Sequence, residues 1–142
     1  MKSIMLIALL FVSSSILGQS VSAESFILSI QGQYEIRMIN NEKPKDPNGL
    51  ADIYADDTEG AFTMPYCGSD GVCDPGYIFV SYQDAVVTET LLRSGVRRFR
   101  IDANGATYYW DDLGAGLYRF TNPSYQPLSG SPFELIHDLE RI

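Results

Sequence analysis

Alternation of apolar and polar side chains is the strongest pattern in the chain. In Gln33–Ile39, Tyr34, Ile36 and Met38 fall on one side and Glu35 and Arg37 on the other, the period-two signature of a half-buried strand. Ser25–Ile30 is apolar-rich too, and Gln31–Gly32 between the two segments predicts a first hairpin. Leu50–Tyr54 and Ala61–Tyr66 are expected to pair across the acidic turn Ala55–Gly60. After Pro75–Gly76 come five strand-like runs: Tyr77–Tyr82, Val86–Leu92, Val96–Ile101, Thr107–Trp110 and Leu117–Phe120. Turn residues separate them at Gln83–Asp84, Ser94–Gly95, Asn104–Gly105 and the pair Gly114 and Gly116. Short strands joined by short turns specify an antiparallel meander.

Two segments carry helical signals. Ser81 and Asp84 resemble a cap and Gly95 a stop, so residues 82–93 are open to a helix. Val86, Val87, Thr88 and Thr90 instead suit a pleated surface, and the strand is the preferred reading. At the C-terminus, Ser131 can cap, Pro132 fits the first helical position and Glu134 can complete a capping box. Phe133, Ile136 and Leu139 supply a helical stripe, so a helix is expected over Pro132–Arg141. The expected fold class is mainly β: a small antiparallel meander forming a barrel or sandwich, with a short C-terminal helix. A barrel is preferred, because successive turns favour a continuous meander.

The N-terminus changes the compartment. Lys2, the apolar run Ile4–Val12 and the small-residue exit Val21–Ser22–Ala23 form a secretory signal pattern. Residues 1–23 are therefore expected to be a signal peptide and 24–142 a single extracytoplasmic β-rich domain, secreted or periplasmic. Its apolar stretch is too short to span a bilayer, and no stable membrane insertion is expected after cleavage. The first cysteine is Cys67, so no lipid anchor on an N-terminal cysteine is expected.

The charge of the whole chain is -8. Loss of Lys2 with the leader makes the domain one unit more negative. Such a surface repels phosphate backbones, and nucleic acid is excluded as a natural partner. Cys67 and Cys73 are the only cysteines, and in an oxidising compartment they are expected to form a disulfide that staples a turn.

No catalytic motif stands out. His137 is the only histidine, which excludes a histidine-rich metal centre within one chain, and no Gly-x-Ser-x-Gly element accompanies it. Asp52, Asp56, Asp57 and Glu59 offer hard oxygen ligands for calcium, although an EF-hand loop is absent, and Asp70 and Asp74 flank the stapled turn. Calcium is the single cofactor these residues suggest; the preferred reading has none. Tyr108, Tyr109 and Trp110 form the densest aromatic segment, with Tyr108 and Trp110 on one strand face and Tyr109 on the other, beside Asp111 and Asp112. Arg98 and Arg100 share a face opposite Phe99 and Ile101, where their guanidinium forks can engage carboxylates. Trp110, Tyr108, Arg98 and Arg100 are therefore the candidate contact residues. The functional expectation is noncatalytic recognition of a protein or extracellular polymer, as an inhibitor or accessory protein. The alternative is a small secreted hydrolase using paired carboxylates on a glycan.

Overall fold

The computed structural model describes residues 18–44 and 49–142. The leader's apolar run, and Asp46 and Asn48 of the proline-containing loop, lie outside the described residues. The chain runs through β1 (Gln19–Val21), α1 (Ala23–Ile30), β2 (Gly32–Ile39), β3 (Leu50–Ala55) and β4 (Glu59–Thr63). A short excursion, β5 (Tyr66–Cys67) and β6 (Cys73–Asp74), precedes β7 (Tyr77–Ser81), β8 (Val86–Leu91) and β9 (Arg97–Ala103). The chain ends in three long strands, β10 (Ala106–Gly114), β11 (Leu117–Tyr125) and β12 (Phe133–Arg141).

Ten strands form one antiparallel sheet in the order β1-β8-β9-β10-β11-β12-β2-β3-β4-β7, and β5 and β6 pair as a separate two-stranded sheet. The terminal strands β1 and β7 do not pair with each other. The sheet therefore curls into a half-barrel, in place of the closed barrel or sandwich anticipated from the meander. The meander itself is present from β8 to β12, and residues 86–91 are strand.

The helix is at the other end of the domain from its expected place. Ser131, Pro132 and Glu134 carry cap-like chemistry, but residues 133–141 are strand. Leu135, His137 and Leu139 all point inward and are buried, a period of two rather than 3.6. Pairing with β11 along most of its length and with β2 from His137 onward engages the backbone of this segment. That long-range ladder outweighs a local capping preference. Asn40 extends it past the end of β2: its carboxamide donates to the Glu134 carbonyl at 3.0 Å and accepts from the Ile136 N–H at 2.7 Å.

Conversely, Ser25–Ile30 is not the first arm of a hairpin but most of α1. Ala23, Phe26, Ile27 and Ile30 recur at helical spacing and are buried. Ser22 caps the helix, its Oγ accepting from the Ser25 N–H at 3.3 Å. The helix lies on the inner face of the sheet, with Phe26 4.6 Å from Phe99 between ring centres. Ile27 sits over Gly60, where a Cβ would come within 2.7 Å of its Cγ2. Glycine is required there by proximity.

The inner face holds the core, with Tyr34, Ile53, Phe62, Ile101, Trp110, Phe120 and Leu139 almost wholly buried. Each such side chain contributes about 1.5–3 kcal/mol of transfer free energy. Trp110 and Tyr34 meet edge to face at 5.4 Å, as do Phe62 and Phe120 at the same separation. Across the outer face runs a charge ladder in register, Arg98–Asp111–Arg119–Asp138. Among the described residues no helix is long and apolar enough to cross a membrane.

Candidate functional site

The β4–β7 connection walls an open groove on the surface. It leaves the sheet at Met64 and returns at Gly76, whose carbonyl accepts from the Met64 N–H at 3.0 Å. Gly76 has φ +66°, and a Cβ there would meet the Met64 carbonyl oxygen at 1.9 Å, so no other residue fits. Between these points Cys67 and Cys73 are bridged, as the sequence predicts. Asp70 tightens the tip by accepting from the Val72 N–H at 3.0 Å.

Asp74 ties this hairpin to the sheet. Its Oδ1 accepts from the Gly76 N–H at 2.9 Å and its Oδ2 from the Tyr125 hydroxyl at 2.6 Å. Burial and the adjacent Asp74 carboxylate push the Tyr125 phenol upward, so it remains a donor throughout the physiological range. Tyr66, Tyr125 and Phe133 form an aromatic triad with ring centres 5.4–5.6 Å apart. The facing loop is braced by Gln126, whose Nε2 donates to the carbonyls of Pro127 and Gly130.

Between hairpin and loop lies an open groove of about 430 Å³, walled by Tyr66, Tyr125 and Phe133 and edged by Asp70, Asp74 and Ser131. A second cavity of about 380 Å³ lies on the other side of Tyr66, against Ile36, Ile39 and Lys43. A third, about 180 Å³, lies behind the Tyr125–Asp74 pair and reaches Tyr108, Phe120, Asn122 and His137. Tyr66 and Asp74 thus each belong to two of the three cavities.

His137 is buried in β12, a strand in place of the expected helix. Its Nε2 is 2.8 Å from the Pro65 carbonyl, which assigns the proton to that nitrogen. Burial lowers its pKa, opposed in part by the Pro65 carbonyl and Asp138.

The four contact candidates do not converge. Trp110 is fully buried among Tyr34, Phe62 and Tyr118, so it packs the core and presents no face to a partner. Tyr108 is half-buried, stacks on Phe120 at 5.8 Å and lines the inner cavity. Arg98 and Arg100 are on the outer face. Arg98 makes a two-pronged pair with Asp111 at 2.8 and 2.9 Å and lies 4.8 Å over Tyr109. Arg100 pairs with Asp102 at 3.1 Å. Both guanidinium groups are engaged by the domain's own carboxylates.

The calcium candidates occupy the β3–β4 hairpin and its flanks. Asp56 Oδ1 accepts from the Thr58 and Glu59 N–H groups at 2.9 and 3.0 Å, which lowers its pKa and makes it the organiser of the turn. Among the described residues, no group of three or more His, Cys, Asp or Glu side chains is placed to hold a metal ion.

The groove residues Tyr66, Tyr125 and Phe133 had no signature in the sequence. Tyr125 and Asp74 are 51 positions apart, and only the folding of β11 against the stapled hairpin brings them together. No known protein family, curated protein or solved structure matches the chain.

Proposed function

We propose that this is a noncatalytic recognition domain that binds a neutral or cationic segment of a protein or extracellular polymer in the hairpin–loop groove. The observation that carries the reading is the Tyr66–Tyr125–Phe133 triad, held beside Asp70 and Asp74 by a disulfide-closed hairpin. Aromatic walls favour apolar faces of a ligand, and the carboxylates and Ser131 accept or donate hydrogen bonds at its polar edge. A net charge of -8 disfavours polyanions. Rigid walls also lower the ordering cost of binding. The leader pattern makes the partner an extracytoplasmic one, met in the periplasm or outside the cell.

The hydrolase alternative would use Asp70 and Asp74, the two acids of the groove. Each already accepts a backbone N–H, and Asp74 accepts a phenol as well. Those bonds commit both carboxylates to holding the hairpin in place, which supports the noncatalytic reading.

Pull-down from an extracytoplasmic fraction, with a soluble glycan panel in parallel, tests the proposal. Phe133→Ala should reduce partner retention about tenfold, the weight of one interfacial aromatic, while Arg98→Ala should leave it unchanged. Equal retention by Phe133→Ala and the wild type would remove the groove from consideration. Release of cleaved glycan, abolished by Asp70→Asn, would establish the hydrolase instead.

A further inference from the structure

The N-terminal segment sets a limit on processing. Val21–Ser22–Ala23 has the residue types of a signal-peptidase exit, yet in the fold these residues are structural. Gln19, Ser20 and Val21 pair with Glu89, Thr88 and Val87 of β8, and Val21 packs against the core. Just before them, Gly18 lies so close to β8 that a Cβ would stand 2.4 Å from Thr88 Cγ2. Ser22 caps α1 through its side chain, and its carbonyl accepts the Phe26 N–H at 2.9 Å. Ala23 is the first helical residue and is only 6 % exposed.

A cut after Ala23 would take away β1, the cap and the first buried residue of the helix together. It would also uncover the backbone edge of β8, where Val86 and Leu91 are already exposed. Such an edge is a template for unwanted pairing. At the opposite end of the sheet the chain guards its edge: Asn104 Nδ2 donates to the Phe79 carbonyl of β7 at 2.7 Å. β1 does the equivalent service for β8.

We propose that export processing spares Gln19–Ala23, so that the mature domain begins at or upstream of Gln19 and retains β1. The sequence offers an earlier exit: Ser13 and Ser15, directly after the apolar run Ile4–Val12, have the small-x-small spacing that the peptidase reads. The inference rests on the leader reading and is independent of the groove.

The test is expression of the full chain in an exporting bacterial host, followed by intact-mass measurement and N-terminal sequencing of the exported protein. The expected N-terminus lies between Ser14 and Gln19. An N-terminus at Glu24 overturns the inference while upholding the leader. Protein that retains Met1 overturns both. Val21→Ser provides a second readout, because serine keeps a small side chain at that position and leaves a cut after Ala23 possible. The exported variant should carry the mass difference of the substitution and melt at a lower temperature. A product identical to the wild type in mass and melting would show that residue 21 had been removed, and the inference would fail.

Discussion

His137 concentrates the conflict between chemistry and burial in this protein. An imidazole with its Nε2 bonded to the Pro65 carbonyl, in a strand buried on its inner face, resists taking a second proton. Its folded pKa lies below the ordinary 6.5, so the unfolded chain binds the proton first as the pH falls. The contribution of His137 is therefore complete above about pH 6.5 and is lost as the pH drops through the lowered value. Denaturation midpoints measured from pH 7 to pH 5 should decline in the wild type. In His137→Gln the midpoint should start lower and decline less. Parallel declines in the two proteins would assign the pH dependence to other groups. Trp110 teaches a related lesson: a large amphipathic ring beside two aspartates resembles a binding surface in sequence, and pairing of β10 between β9 and β11 turns it inward.

The stapled hairpin is the element on which the groove depends. Its disulfide closes a ring with a sequence separation of 6, and a loop that short restricts the unfolded chain by about 2 kcal/mol. The hairpin pairs with no strand of the main sheet and is held to it by Asp74, Gly76 and the aromatic triad. Replacing both Cys67 and Cys73 by Ser should thus lower stability by about 2 kcal/mol or less, with the sheet intact by far-ultraviolet circular dichroism. Retention of the partner proposed for the groove should fall by more than that loss of global stability would produce. Collapse of the whole β signal would mean that the staple supports the sheet itself.

The half-barrel should show a gradient of protection across its strands. β11, β12 and β2 lie in the middle of the ten-stranded order, paired on both sides, while β1 and β7 lie at its ends. Hydrogen exchange should be slowest in residues 117–125 and 133–141, and fastest in β1 and β7, because terminal strands open without disturbing the core. The C-terminal segment makes this measurement decisive. As a docked helix it would exchange independently of β2; as the strand between β11 and β2 it must exchange with them. Rapid exchange across residues 135–139 would contradict the topology.

Local chemistry was enough to specify the β character, the hairpin of β3 and β4, the strand at 86–91 and the closure of Cys67 with Cys73. In each, the deciding contacts are near neighbours: alternation along a pleat, a turn held by Asp56, two cysteines in one short loop. The strand at 133–141 and the helix at 23–30 depended on partners far away in the chain. Ser131–Pro132 reads as a helix start until β2 and β11 offer two ladders, and Ser25–Ile30 reads as a strand until its stripe meets Gly60 and Phe99. The groove has the same origin. Tyr66, Asp74, Tyr125 and Phe133 come from three separate stretches, and their convergence is a property of how the sheet curls. Short-range preferences amount to a few tenths of a kcal/mol per residue, and a buried two-sided strand exceeds that by burying its inner side chains while pairing backbone groups along both edges.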